Sequence, residues 1–205
     1  MLRLEHKKDF DKSTGIYPYK SNCIKCVECS KNKGLDCVGG LVTCGTCMTT
    51  LTKEDYGGGN IWYSVKKTCN LSPAVCNYTY SLSSENFTTT YTSSCCGTDL
   101  CNNKTVQVTP RNPTENGIKC PSCQLASAEG CVANSTVRCT GSETKCLIFK
   151  GKYTLQGTCQ ESAFQGCATE NVCEHAGFIQ EHPGSLICGN STVQCTDSHS
   201  TSPKP

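Results

Sequence analysis

The chain has 205 residues, of which 36% are hydrophobic and 21 are cysteines. This composition excludes a large apolar core, so disulfides must supply much of the stability. The formal net charge is +2, with basic and acidic residues interspersed, which excludes electrostatic capture of nucleic acid or of an anionic membrane surface. So many cysteines indicate folding in an oxidising compartment.

The two ends of the chain are polar. Residues 1–22 are predicted to form an extension, and they lack the apolar segment of a secretory signal peptide. Residues 196–205 form a polar tail without the hydrophobic stretch of a lipid-anchor signal, and no apolar run is long enough to cross a membrane. We therefore expect no integral membrane contact.

Export is predicted by six Asn-x-Ser/Thr sequons, which are acceptor sites for N-linked glycans. The predicted glycosylated residues are Asn70, Asn77, Asn86, Asn103, Asn134 and Asn190. Asn70 and Asn77 directly follow cysteines, so crowding is expected to hinder one of them. The sequence therefore predicts a secreted glycoprotein.

The first cysteine-rich block, residues 23–102, has the pattern of β-hairpins. Met48–Leu51 lead towards the turn Gly57–Asn60, and Trp62 begins an apolar run after it, which predicts a hairpin with a flexible tip. Asn77–Ser94 alternates aromatic and hydroxyl residues, which predicts a further hairpin.

A cysteine-free linker, residues 103–119, separates this block from a second one, residues 120–195. The linker holds two prolines among polar residues and is expected to be an exposed connector with little to bury. In the second block, Leu147–Phe149 enter a hairpin whose return strand is predicted to end near Phe164. Both blocks open with C-x2-C and repeat similar cysteine spacings, so we predict an all-β, disulfide-rich protein with two tandem domains.

The first block ends on a specific motif. Cys95 and Cys96 are adjacent, and four residues later Cys101 is followed by Asn102. With the opening pair of cysteines, this ending resembles the three-finger domain of the lymphocyte-antigen/urokinase-receptor (LU) family. The resemblance implies that Asn102 hydrogen-bonds into the disulfide-rich palm of the domain.

The second block carries three further motifs, at Thr114–Cys123, Cys139–Cys146 and Gly166–Cys173. They are similar to the second domain of the gamma-type phospholipase A2 inhibitors and their mammalian two-domain relatives. The block ends at Cys195 without adjacent cysteines, as that domain does. The whole chain therefore resembles two tandem three-finger LU domains.

The resemblance implies nine disulfides. In the first domain the implied pairs are Cys26–Cys47, Cys29–Cys37, Cys44–Cys69, Cys76–Cys95 and Cys96–Cys101. In the second domain they are Cys120–Cys146, Cys123–Cys131, Cys139–Cys167 and Cys173–Cys195. Each bridge contributes about 2–4 kcal/mol in the chain-entropy model, although the contributions do not simply add.

Three cysteines are left over. Cys159 and Cys188 fall on neighbouring fingers of a three-finger sheet, where strands about 4.8 Å apart allow a disulfide. We predict this tenth bond, which leaves Cys23 for an intermolecular bond or as a thiol. The alternative joins Cys173 to Cys188 and Cys159 to Cys195.

Metal binding and catalysis are not expected. The C-x2-C pairs could suggest zinc, but sequons and adjacent cysteines favour disulfides, so no cofactor or metal is predicted. The histidines lie in the tails and in one loop and form no catalytic motif; they are His6, His175, His182 and His199. Glu54 and Asp55 at the first hairpin tip are expected to be a solvated turn.

Binding is expected at the tip of the first predicted hairpin. Tyr56, Trp62 and Tyr63 supply large side chains suited to partner contact, and the equivalents in the second block would be Phe149, Tyr153 and Leu155. The alternative is that Trp62 and Tyr63 pack on opposite faces of their own sheet.

The resemblance implies a non-enzymatic function with an extracellular protein partner. One hypothesis is a secreted inhibitor of secreted phospholipase A2 that acts by protein–protein contact. The other is a soluble LU-domain ligand or receptor-like protein, of the pheromone-precursor or reproductive-tract type.

Overall fold

The computed structural model describes residues 23–70, 76–127, 129–174 and 186–197. These residues form eleven β-strands, a five-residue α-helix and a three-residue 3₁₀ helix. The predicted all-β, disulfide-rich class is confirmed. The predicted N-terminal extension, tail residues 198–205 and the four histidines lie outside the described residues.

The first domain has three antiparallel hairpins, which we call fingers one, two and three. Finger one is β1 (Ile24–Asn32) with β2 (Gly40–Cys44), finger two is β3 (Cys47–Asp55) with β4 (Ile61–Cys69), and finger three is β5 (Thr79–Ser84) with β6 (Phe87–Cys96). Their order across the sheet is β5-β6-β3-β4-β1-β2. Both hairpins expected in this block are present.

The second domain repeats the arrangement. Its strands are β7 (Glu115–Leu125), β8 (Ser135–Thr140), β9 (Lys145–Leu155), β10 (Thr158–Ala168) and β11 (Ile187–Asp197), with helix α1 (Glu170–Glu174) between the last two. They pair in the order β8-β7-β10-β9-β11. The return strand β10 therefore runs four residues past the predicted end at Phe164.

Disulfides hold the base of each domain together. The structure contains the nine pairs that the resemblance implied, and it also joins Cys159 to Cys188. Cys23 is exposed at the start of the described chain. Asn102 is buried, and its side chain accepts a hydrogen bond from the Val27 N–H and donates one to the Val27 carbonyl, both at 2.9 Å. This asparagine ties the end of the first domain to β1.

The linker differs from the exposed connector predicted for it. Val106 and Val108 pack against the small core of Leu51 and Val65 in finger two. Strand β7 begins at Glu115, inside the predicted linker, because that residue pairs with Thr140 of β8. The linker is thus partly a cover for the first domain and partly the first strand of the second.

The largest hydrophobic core crosses from one domain to the other. Finger three contributes Tyr80, Leu82, Phe87 and Tyr91, and the second domain contributes Leu147, Phe149, Tyr153, Phe164, Ala168, Val172, Leu186 and Ile187. These residues alternate along their strands, so each domain presents one apolar sheet face to the other. We call this contact region between the two domains the seam.

Candidate functional site

Backbone pairing joins the two domains directly at the seam. Strand β10 pairs with β5 through Cys167 opposite Ser83 and Ala168 opposite Leu82. Gly166 permits this approach, because a Cβ there would overlap the carbonyl oxygen of Ser83. The ladder strands of the two domains therefore form one continuous sheet.

A buried carboxylate reinforces the seam. Glu143 is fully buried, and its oxygens accept hydrogen bonds from the hydroxyls of Ser81 (2.9 Å) and Ser83 (2.7 Å) on finger three. The Arg111 guanidinium of the linker lies 2.8 Å from Glu143 Oε2. Since three chain segments meet at this carboxylate, we call it the clasp. A buried charge requires such a set of partners.

Glu54 is a second buried carboxylate between the domains, with a different environment. Its Oε2 accepts hydrogen bonds from the Tyr56 hydroxyl (2.9 Å) and from the backbone N–H of Gln156 (2.8 Å), in the β9–β10 turn. Its Oε1 is enclosed and has no hydrogen-bond partner among the described residues. Burial raises the pKa of the Glu54 carboxyl. The expectation of a solvated turn at Glu54 is wrong, because the second domain covers it.

The residues of the second domain that were expected to contact a partner are also covered. Phe149 is 2% exposed and Tyr153 is 1% exposed, and both pack in the shared core, with Leu155 half-buried beside it. Their assignment as equivalents of a binding tip is therefore wrong. They pack instead against the apolar face of finger three, for which the sequence indicated no partner.

The predicted binding residues of finger two are all half-buried. The Tyr56 ring contacts the Phe87 ring, with the two ring centroids 5.2 Å apart. Trp62 lies under Lys33 of finger one, whose Nζ is 4.5 Å from the ring centroid, and Tyr63 packs on the finger-two core. Adjacent residues of a strand point to opposite faces, so the structure separates Trp62 from Tyr63.

Fingers one and two of the first domain keep large apolar side chains in solvent. Val38 is 97% exposed, Leu41 60% and Ile61 40%. Between Tyr56 and Ile61, the four turn residues Gly57–Asn60 are exposed as well. In the strand order, β1 and β2 of finger one lie at the end of the sheet opposite to the second domain. We call the exposed apolar residues of fingers one and two the free finger surface.

Fingers one and two carry no sequon, since no Asn-x-Ser/Thr motif begins between residues 23 and 69. Five acceptor asparagines are exposed, namely Asn77, Asn86, Asn103, Asn134 and Asn190. Asn70 is half-buried, and its side-chain nitrogen lies 2.9 Å from the sulfur of Cys76. The structure thus leaves the free finger surface clear of sequons.

The described residues offer no separate metal centre. The two groups of close cysteine sulfurs, around Cys47 and around Cys120, consist of cysteines that are already in disulfides. A sulfur in a disulfide is not the thiolate that zinc requires. None of the helices in the described part of the chain has the length and apolarity of a membrane span.

Comparison with known proteins decides the family. The family model for the u-PAR/Ly-6 domain matches residues 22–104 and 116–202. The chain belongs to the u-PAR/Ly-6 domain family. The two blocks are therefore two LU domains, and the seam joins finger three of one LU domain to the sheet of the next.

Two curated relatives match part of the chain. Protein RoBo-1 of Rattus norvegicus is 33% identical over 89 residues, which are 43% of this chain and 36% of RoBo-1. The urokinase plasminogen activator surface receptor of Aotus trivirgatus is 35% identical over 83 residues, 40% of this chain and 24% of the receptor. The chain thus spans well under half the length of either relative.

A solved structure, that of mouse TEX101, aligns with a TM-score of 0.36 at 15% identity, covering 84% of this chain and 99% of that one.

The seam itself was not predicted from the sequence. Its signals were present in two of the second-block motifs, because Glu143 lies in one and Gly166 in another. Nothing in a single sequence says that these residues meet finger three.

Proposed function

We propose that this chain is an extracellular glycoprotein that binds a protein ligand, without chemistry of its own, through the free finger surface of its first LU domain. The observation that carries the proposal is the exposure of Val38, Leu41 and Ile61, whereas most of the described aromatic side chains pack in the shared core. Exposed apolar groups on projecting loops are typical of recognition surfaces.

Two further features support this surface. Glycans at the exposed sequons would cover other parts of the molecule, because fingers one and two carry no sequon. Lys25, Lys31 and Lys33 on finger one are exposed, whereas Lys67 is neutralised by Asp36 at 2.5 Å. A ligand with an apolar patch rimmed by carboxylates would complement such a surface.

The ligand that the sequence resemblance favours is a secreted phospholipase A2, which the protein would inhibit by covering its interfacial surface. The resemblance rests on motifs of the second domain, and two of these motifs build the seam at Glu143 and Gly166. They support a shared arrangement of the two domains, and they place no contact with an enzyme. The identity of the ligand is therefore a matter for assay.

A soluble receptor-like or ligand-like role is the second candidate. It is supported by the similarity to a protein named as a urokinase plasminogen activator surface receptor. The same free finger surface would serve this role, because LU domains share one scaffold across different ligands.

The test uses the glycosylated, disulfide-bonded protein and a panel of secreted phospholipases A2, with binding and lipid hydrolysis measured in parallel. Val38 and Val132 are matched, since each follows the second cysteine of an equivalent disulfide loop and each is at least 90% exposed. We expect Val38→Asp to weaken binding by about tenfold, as loss of an apolar contact at a binding surface does, and Val132→Asp to leave it unchanged.

Three outcomes separate the candidates. Binding with inhibition, sensitive to Val38→Asp, supports the phospholipase proposal. Absence of binding to every phospholipase, by protein that retains its thermal transition, contradicts it and leaves the receptor-like role. Binding that responds to Val132→Asp and ignores Val38→Asp would reject the free finger surface as the site.

A further inference from the structure

A polar cleft lies between finger two of the first domain and the β9–β10 turn of the second. Its volume is about 310 Å³, at the lower end of the range for small-molecule sites. Thr154, Gly157 and Leu186 form the wall on the side of the second domain. The floor is a face of the sheet formed by β1, β4 and β3, and Val65, which packs in the finger-two core with Leu51, also lines the cleft.

Six polar side chains form the floor in two rows of three. The register places Asn32 opposite Ser64 and Ser64 opposite Thr52. The second row runs, in the same strand order, through Ser30, Lys66 and Thr50. Residues directly opposite each other on neighbouring strands lie on the same face, about 5 Å apart. The cleft therefore presents a fixed array of hydroxyl, amide and ammonium groups.

The charge of this array has one sign. Among the residues that the structure describes, Lys66 is the single charged one that lines the cleft, and no described carboxylate lines it. Hydroxyl and amide groups both donate and accept hydrogen bonds, and an ammonium group only donates. An apolar ligand would leave these groups without partners, which is costly, whereas a ligand with several hydroxyls and one negative charge would satisfy them.

We propose that this cleft binds an anionic saccharide, such as a sialic acid or a sulfated sugar, with Lys66 facing the acidic group and the two rows facing the hydroxyls. The second domain shapes the site. Gly157 has a positive φ of +75°, and a Cβ there would overlap the side-chain amide of Asn32. The glycine thus lets the β9–β10 turn close one end of the cleft against the amide.

This site is distinct from the free finger surface, because none of its six floor residues is among the exposed apolar residues there. The proposal therefore stands or fails independently of the protein ligand. A saccharide of this kind could be free or could end a glycan on another glycoprotein. The chemistry at the cleft is the same in both cases.

The experiment follows backbone amide shifts of isotope-labelled, disulfide-bonded protein after enzymatic removal of its own glycans. The probes are N-acetylneuraminic acid, glucose 6-sulfate, neutral glucose and sodium sulfate. We expect the two anionic sugars to shift the amides of Asn32, Ser64 and Gly157, and to bind about tenfold more tightly than glucose, since hydrogen bonds to charged groups are the stronger ones. Titration with a sialylated glycoprotein before and after sialidase treatment distinguishes a glycan-borne source from the free sugar.

Lys66→Gln should weaken binding of both anionic sugars by about tenfold. Lys31→Gln is the matched control, because Lys31 lies on the opposite face of β1 from Ser30 and Asn32, and it should leave binding unchanged. If Lys66→Gln disturbs the amide spectrum, Thr52→Val removes one floor hydroxyl with little change of shape. Equal binding of sulfate alone, equal binding of glucose, or no effect of Lys66→Gln and Thr52→Val would overturn the proposal.

Discussion

Removing the clasp carboxylate should weaken both domains together. In Glu143→Ala, Ser81 and Ser83 lose their acceptor and the Arg111 guanidinium loses its counter-ion at 2.8 Å. Glu143 itself is fully buried, so the variant leaves a cavity as well as unpaired polar groups. Glu143→Gln keeps the shape and one acceptor oxygen, but it removes the charge and replaces the other acceptor with an N–H donor.

The magnitude follows from burial. Removing one partner of a buried ion pair typically costs about 3–5 kcal/mol, and we expect Glu143→Ala to fall in this range. For a chain of about 200 residues, each kcal/mol corresponds to about 2–4 °C in Tm, so Tm should fall by about 6–20 °C. Glu143→Gln should cost less, about 1–3 kcal/mol, because only part of the hydrogen-bond set is lost.

The assay is calorimetric unfolding of the oxidised protein at neutral pH. Glu115→Ala is the matched control, because Glu115 pairs with Arg138 at 3.0 Å on the surface, where both side chains are more than half exposed. Exposed pairs contribute about 0–1 kcal/mol. If Glu143→Ala unfolds within that same margin of the wild type, the clasp does not hold the seam.

Three further predictions concern pH, the joint between the sheets and the glycans. Burial raises the pKa of Glu54 above its ordinary value of 4.5, so the folded state holds the proton more tightly than the unfolded chain, and the free energy of unfolding should fall as pH rises through the raised pKa. Glu54→Gln should reduce that slope in urea titrations; an unchanged slope would contradict the role of Glu54. Gly166→Ala should lower Tm and speed hydrogen exchange at the Ala168 amide, whereas Gly45→Ala, where a Cβ meets nothing within 4 Å, should do neither; equal behaviour of the two would refute the close approach of β10 to β5. Protein from a eukaryotic secretory host should lose several kilodaltons on treatment with a glycan-removing amidase, and peptide mass spectrometry should find Asn70 unoccupied because its amide is half-buried beside Cys76; a mass that does not change would contradict glycosylation.

Local patterns in the sequence were sufficient for the domain architecture. Alternating side chains and the glycine turn at Gly57–Asn60 indicate the hairpins, since strand period and turn chemistry are local properties. The ending Cys101–Asn102 identifies the family through a motif whose asparagine indeed bonds to Val27. Such features depend on residues close together in the chain or on a recognisable motif.

The seam could not be predicted in the same way. Phe149 and Tyr153 have the pattern of a hairpin that is apolar on one face, and a single sequence does not say whether that face meets a ligand or another domain. In the sequence, Glu54 has the pattern of an exposed turn residue, whereas in the structure Gln156, which is 102 positions away, covers it. Contacts of such long range follow from how the two domains pack, and that packing is a tertiary property.

The central claim is that the two LU domains form one folded body through their shared core. Trp62 is the only tryptophan and lies in the first domain, whereas Phe164 contributes to the shared core from the second. Phe164→Ala should cost about 3–5 kcal/mol, as large-to-small changes of buried aromatics do. If the two domains form one folded body, the unfolding midpoint followed by Trp62 fluorescence falls together with the midpoint followed by far-ultraviolet circular dichroism. A Trp62 midpoint that stays at the wild-type value, while a separate earlier transition appears in the circular dichroism, would contradict it.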